Sequence, residues 1–200
     1  MQSAAKLITY LSGYKKILTL RIISEGPARF NKTFNAMKSP MKTFTIVDHL
    51  EDLDSESKYI THKAKDATAH AYAPYSKFLV GAAVLLEDGT IVTGTNQENA
   101  AYPSGMCAER VALYAAAAQH PEKLISKIAV VAKRKGSKEV LPATSCGPCR
   151  QVMLEFEQRQ DKPIEVVMQN MEHKWVKAPS AESLLPFCFT KASLQHDHKD

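Results

Sequence analysis

The chain has 200 residues, 44% of them apolar and 24% charged, which suits one globular domain with a substantial core and an extension. Its net charge of +5 is uneven, because residues 1–40 hold seven basic residues against Glu25 alone, while the rest of the chain sums to −1. That balance argues against a nucleic-acid groove on the main domain, and no apolar run approaches the roughly 18 residues of a membrane span.

Residues 1–54 are read as an extension outside the fold, basic and acid-poor as far as residue 40. A transit-like presequence, a start placed ahead of Met41 and a mobile arm all fit it, whereas a secretory signal does not: no clean apolar stretch and small-residue cleavage site are present.

From Ser55 the pattern becomes regular. In "SESKYITHKAKDATAHAY", Tyr59, Ile60, Ala64, Ala67 and Ala71 fall at helical spacing behind serines that can cap a helix. "FLVGAAVLLEDGTIVTGT" is two β-rich runs around Asp88-Gly89, which predicts a hairpin with a type I′ turn. An irregular "NQENAAYPSG" leads to an Ala-rich helix over 106–119, and "SKIAVVAK" follows as a buried strand. "TSCGPCRQVMLEFEQRQ" is a loop running into a helix, with Pro148 suited to its first turn. "PIEVVMQ" and "HKWVKA" are strands, "SAESLLP" a short capped helix, and residues 195–200 a polar tail. Strands alternating with helices predict an α/β layered domain, 55–194, around a mixed sheet of about five strands.

Four cysteines, two of them in Cys146-Gly-Pro-Cys149, fit a reducing, cytoplasmic compartment with thiols used for metal or redox work. A Cys-x-x-Cys at a loop-to-helix junction serves as a redox dithiol or as half of a zinc site, and the helix N-terminus favours thiolate in both. Zinc needs a further ligand, for which Cys107 qualifies, since it also precedes a helix. The alternatives are that Cys107 is a buried small hydrophobe, or that Cys188 closes a structural four-thiolate site without catalysis.

Glu109 bears on the choice. A regular helical step of two residues turns its carboxylate about 200° from Cys107, but an irregular first turn lets it reach a metal's open position. There a carboxylate works as acid and base beside a zinc-bound water, whose pKa the metal lowers to about 7. Cys-x-Glu followed by a distant Cys-x-x-Cys matches the zinc-deaminase signature, with Cys in place of His.

"CAER" at 107–110 and "CGPCRQ" at 146–151 resemble the zinc motifs of the cytidine deaminase family. "YAPYSKFLVGAA", "TGTNQENAAYPSG" and "LLPFCF" resemble its other landmarks. The resemblance covers residues 59–194 and points to the compact, all-cysteine, homotetrameric form. It implies a three-layer α/β/α fold and hydrolytic deamination of cytidine and 2′-deoxycytidine in pyrimidine salvage. One Zn²⁺ per subunit would be held by Cys107, Cys146 and Cys149. Glu109 would shuttle protons from zinc-bound hydroxide chemistry to the pyrimidine, and Arg110 would hydrogen-bond the ligand sulfurs.

By the same resemblance Asn96 and Glu98 would hold the ribose 3′-hydroxyl and so favour a free nucleoside over nucleic acid. The backbones of Ala100 and Ala108 would contact substrate, and Phe78 would pack on the pyrimidine. Tyr102 and Phe189 would act near or within a neighbouring subunit's site. The family usually has Pro before the first cysteine of the pair, where this chain has Ser145. The other readings are a deaminase of another aminated heterocycle, such as a nucleoside antibiotic, and a zinc-stapled binding domain in which Glu109 has no function.

Overall fold

The structure, a computed structural model, describes residues 43–194. The expectations for residues 1–42 and for the tail at 195–200 lie outside the described residues. The elements in chain order are β1 (Thr45–Val47), α1 (Ser55–Ala67), β2 (Phe78–Leu86), β3 (Ile91–Thr95), α2 (Ala108–Gln119), β4 (Ile125–Arg134), α3 (Gly147–Gln160), β5 (Glu165–Gln169) and β6 (Trp175–Ala178).

The six strands form one sheet in the order β1-β6-β5-β4-β2-β3. It is mixed: β4 and β5 run parallel and every other pair antiparallel. The expectation of about five strands misses β1, a three-residue edge strand ahead of residue 55 that exists through its pairing with β6.

α1 covers one face of the sheet, where Ile60 and Ala64 pack with Leu85, Ala129 and Val131. α2 and α3 cover the other, with Ala112, Leu113 and Met153 against Val84, Ile128 and Val166. Three layers result, each helix hiding its apolar stripe against the sheet. Residues 79–86 of β2 and 128–132 of β4 are apolar without alternation because both of their faces are covered.

Two local expectations change. The cap of α1 is Asp54, whose carboxylate accepts from the Ser57 N–H at 2.9 Å, and not a serine. The hairpin turn is not type I′, which needs two residues at positive φ; only Gly89 is there, at φ 86°. Gly89 N–H bonds Leu86 O and Leu86 N–H bonds Thr90 O, so a turn followed by one left-handed glycine closes the hairpin. "SAESLLP" forms a single 3-10 turn, Glu182–Leu184, with Ser183 N–H donating to Ser180 Oγ.

Two glycines set how closely the layers approach. A Cβ on Gly81 would stand 2.0 Å from Ala64 O of α1, and one on Gly94 would stand 2.3 Å from Ala112 N of α2. On the α2 side the approach is completed by buried Ala108, Ala112 and Ala116, a stripe of small residues at i, i+4 and i+8. β3 therefore presses against the start of α2, the turn that carries Cys107, Ala108 and Glu109.

Candidate metal centre and substrate cavity

Cys107 is the N-cap of α2, with extended φ −76° and ψ 149°, and the helix begins at Ala108. Because Cys107 is off the helical spiral, the 200° separation from Glu109 does not apply. Cys146 is likewise the N-cap of α3, at φ −70° and ψ 163°, with Gly147 and Pro148 next and Cys149 within the first turn. Two helix N-termini thus meet with thiols at their ends, where the helix dipoles favour thiolate.

The three sulfurs lie within 4.8 Å of one another, and among the described residues they are the one such group of three metal-ligating side chains. Cys107 Sγ to Cys146 Sγ is 3.9 Å and Cys146 Sγ to Cys149 Sγ is 3.3 Å. A tetrahedral zinc with bonds of about 2.3 Å requires sulfur spacings of roughly 3.8 Å, so the donor set fits one Zn²⁺. Cys188 is outside the group.

Charge supports the same fit. The Cys107 thiol is drawn down to about 5, first by the neighbouring Cys149 thiol and, against its burial, by Arg110 and Cys146. Cys149 is pushed up, by its interaction with Cys107 and by burial. Left to itself Cys107 ionises at the expense of Cys149, and a dication is what would allow both to ionise together. Arg110 Nη2 donates to Cys107 Sγ at 3.5 Å.

Glu109 is 4% exposed. Burial pushes its carboxyl up, and the Cys107 charge acts in the same direction against a hydrogen bond from its own backbone. A carboxyl so placed holds a proton more readily than one in water, as a proton carrier at neutral pH needs.

These groups form one end of a cavity of about 740 Å³, within the range of small-molecule sites. Phe78, Asn96, Glu98, Tyr102, Cys107, Ala108, Glu109, Arg110 and Cys146 line it. Ala100, Cys149 and Phe189 are not among its walls. Cys149 is buried behind it, and Phe189 is 59% exposed with its carbonyl accepting from Gln151 Nε2 at 2.8 Å.

The polar end is built around residues 96–98. Tyr72 N–H donates to Asn96 O and Glu98 N–H to Tyr72 O, while Gln97 and Met106 exchange both backbone bonds. This segment therefore ties the end of β3 to the residue preceding Cys107. Asn96 Oδ1 accepts from Val80 N–H at 2.8 Å and its Nδ2 donates to Phe78 O at 2.9 Å, which leaves one amide N–H free of these bonds. Glu98 accepts from the N–H groups of Tyr75 and Ser76 on one oxygen and from the Ser76 hydroxyl on the other. The Ser76 hydroxyl leads in holding the Glu98 carboxyl below its ordinary value, with the two N–H groups adding to it against a small burial effect.

Tyr75, Ser76 and Thr144 also line the cavity and are not singled out by the sequence, although Tyr75 and Ser76 stand in the quoted "YAPYSK". A hydroxyl's hydrogen-bond partner 22 residues away leaves no periodic trace.

The family model described as "Cytidine and deoxycytidylate deaminase zinc-binding region" matches residues 54–162. A cytidine deaminase from Sporosarcina psychrophila is 40% identical over 134 residues, covering 67% of this chain and 91% of that protein. Among solved structures, the cytidine deaminase of Burkholderia pseudomallei superposes with a TM-score of 0.56 at 39% identity, covering 68% of this chain and all of that one. The cytidine deaminase of Mycobacterium tuberculosis gives 0.54 at 33% identity, covering 68% and 99%.

Proposed function

Since the chain belongs to the cytidine and deoxycytidylate deaminase family and is a zinc-dependent enzyme, we propose that it hydrolyses cytidine and 2′-deoxycytidine to uridine and 2′-deoxyuridine, releasing ammonia in pyrimidine salvage. The observation that carries this reading is the placement of a buried carboxylate, Glu109, and a hydroxyl-sized donor and acceptor, Asn96 and Glu98, on the walls of one nucleoside-sized cavity.

Cys107, Cys146 and Cys149 would hold the zinc, which when bound would supply Lewis acidity that brings a water's pKa near neutrality. Glu109 takes one proton of the attacking water and places it on ring N3. It then carries the second to the 4-amino group, so that the C4–N bond breaks to ammonia and the water oxygen stays on C4 as the carbonyl. The backbone of Ala108, on the cavity wall, faces the amine. Phe78 packs on the pyrimidine ring, whose opposite edge is thereby turned toward α2. Arg110 offsets the charge of three thiolates through its contact with Cys107.

At the sugar end, the free N–H of Asn96 and an acceptor site of Glu98 complement a 3′-hydroxyl, which both donates and accepts. A 3′-phosphate would bring like charge against Glu98, so the substrate is a nucleoside and not a nucleic acid. Tyr102 and Phe189, 82% and 59% exposed, are the aromatic groups that a homotetramer with shared sites would cover. A cytoplasmic enzyme fits the reliance on reduced thiols, and no described helix is long and apolar enough to cross a membrane.

The test is turnover by zinc-loaded protein of cytidine, 2′-deoxycytidine and cytidine 3′-phosphate. Both nucleosides are expected to release ammonia, with at least a hundredfold preference over the 3′-phosphate; inactivity toward both nucleosides overturns the reading.

A further inference from the structure

The loop between α1 and β2 meets the sugar end of the cavity through backbone bonds and through the exposed side chain of Ser76. Its hydroxyl donates to Glu98 Oε1 at 2.5 Å, a length typical of a hydroxyl bonded to a carboxylate, and accepts from Phe78 N–H at 3.0 Å. Tyr75 N–H and Ser76 N–H meet the other carboxylate oxygen at 2.9 and 3.3 Å. The backbone around this grip is specific. Lys77 is in the left-handed region at φ 57°, its N–H returns to Ala73 O, and its own carbonyl accepts from Lys135 N–H.

An ionised carboxylate has about four acceptor sites. Three are filled by this loop, so Glu98 can neither rotate freely nor accept a full shell of water, and one site is left for a ligand. Without the Ser76 hydroxyl, the two N–H groups would still hold Oε2, but Oε1 would be free to hydrate. Binding would then have to order it. Because the same hydroxyl receives Phe78 N–H, the segment that packs on the pyrimidine and the carboxylate that meets the sugar are fixed by one atom.

We infer that Ser76 is a positioning residue for nucleoside recognition, pre-orienting Glu98 toward the 3′-hydroxyl and setting its spacing from Phe78. The inference rests on the proposal that Glu98 receives that hydroxyl. Ser76 touches neither the reacting carbon nor the metal ligands, so its contribution belongs to binding and falls mainly on substrates that carry the hydroxyl that Glu98 would meet.

The experiment measures kcat and KM of wild type, Ser76→Ala and Ser76→Thr with cytidine and with 3′-deoxycytidine, with zinc content and melting temperature recorded for each. Ser76→Ala is expected to raise KM for cytidine about five- to tenfold, the net effect of one hydrogen bond, with kcat within about twofold. KM for 3′-deoxycytidine should rise less, within about twofold, because only the contact with Phe78 N–H is then lost, and Ser76→Thr should restore the cytidine value to within about twofold. An unchanged cytidine KM in Ser76→Ala, or an equal rise for both nucleosides, overturns the role of Ser76 while leaving Glu98 as the sugar acceptor. If wild type itself does not distinguish the two nucleosides, the assignment of Glu98 fails, and the inference fails with it.

Discussion

Cys107 stands one residue outside α2, and that single step of extended backbone aims the next two side chains. As an N-cap it turns its sulfur toward Cys146, while Ala108 and Glu109 begin the helix behind it. Away from the site, the residue with the clearest electrostatic role is Asp54. Burial alone would raise its carboxyl, but hydrogen bonds from Lys177, from the Ser57 N–H and hydroxyl, and from Lys127 outweigh this and hold it well below the usual carboxylate range. Lys127, itself 4% exposed, joins Asp54 to Glu165 of β5, with both contacts at 3.0 Å. A carboxyl depressed in the folded state contributes stability that is complete above its unfolded pKa of about 4 and is lost as pH falls toward the folded value. Asp54→Asn should therefore lower the melting temperature at pH 7, and the gap to wild type should shrink progressively below about pH 4. A gap that stays constant from pH 7 to pH 3 would show that the charge of Asp54 does not matter.

At the scale of elements, the close approach of β3 to α2 is what holds the catalytic turn. Gly94→Ala forces a Cβ against the backbone of Ala112 and should cost about 1–3 kcal/mol. It should also cut zinc occupancy and turnover, because the displaced turn carries Cys107 and Glu109. Gly81→Ala, which meets α1 on the opposite face, should destabilise comparably and leave zinc content unchanged. Equal loss of zinc in both variants would separate the β3–α2 contact from the site. Much at this scale was legible in the sequence, since the Ala stripe of α2, the apolar runs of β2 and β4 and the Gly-Pro opening of α3 are local signals. β1 was not, because three half-exposed residues become a strand only by pairing with β6, about 130 residues away. The cap of α1 fell to Asp54 over the nearby serines for a similar reason: its carboxylate is also claimed by Lys127 and Lys177 from the sheet.

Across the whole molecule, the cluster of three cysteines could be read because Cys-x-x-Cys and a further cysteine ahead of a helix are local signals, whereas the polar end of the cavity could be read only through resemblance. Asn96 and Glu98 are unremarkable loop residues until Tyr72, Ser76 and Met106 are brought beside them by the fold. The outer faces remain the part least tied to local pattern: Phe187 and Tyr102 are 96% and 82% exposed. At the start of α2 the proposed tasks are divided, metal binding to the N-cap Cys107 and proton transfer to Glu109 in the first turn. Wild type and Glu109→Ala are to be compared for bound zinc per subunit, melting temperature and cytidine turnover in the same preparations. One zinc per subunit and an intact fold are expected in both, with turnover reduced at least a thousandfold in the variant; turnover within tenfold of wild type, with zinc retained, would show that Glu109 does not move the protons.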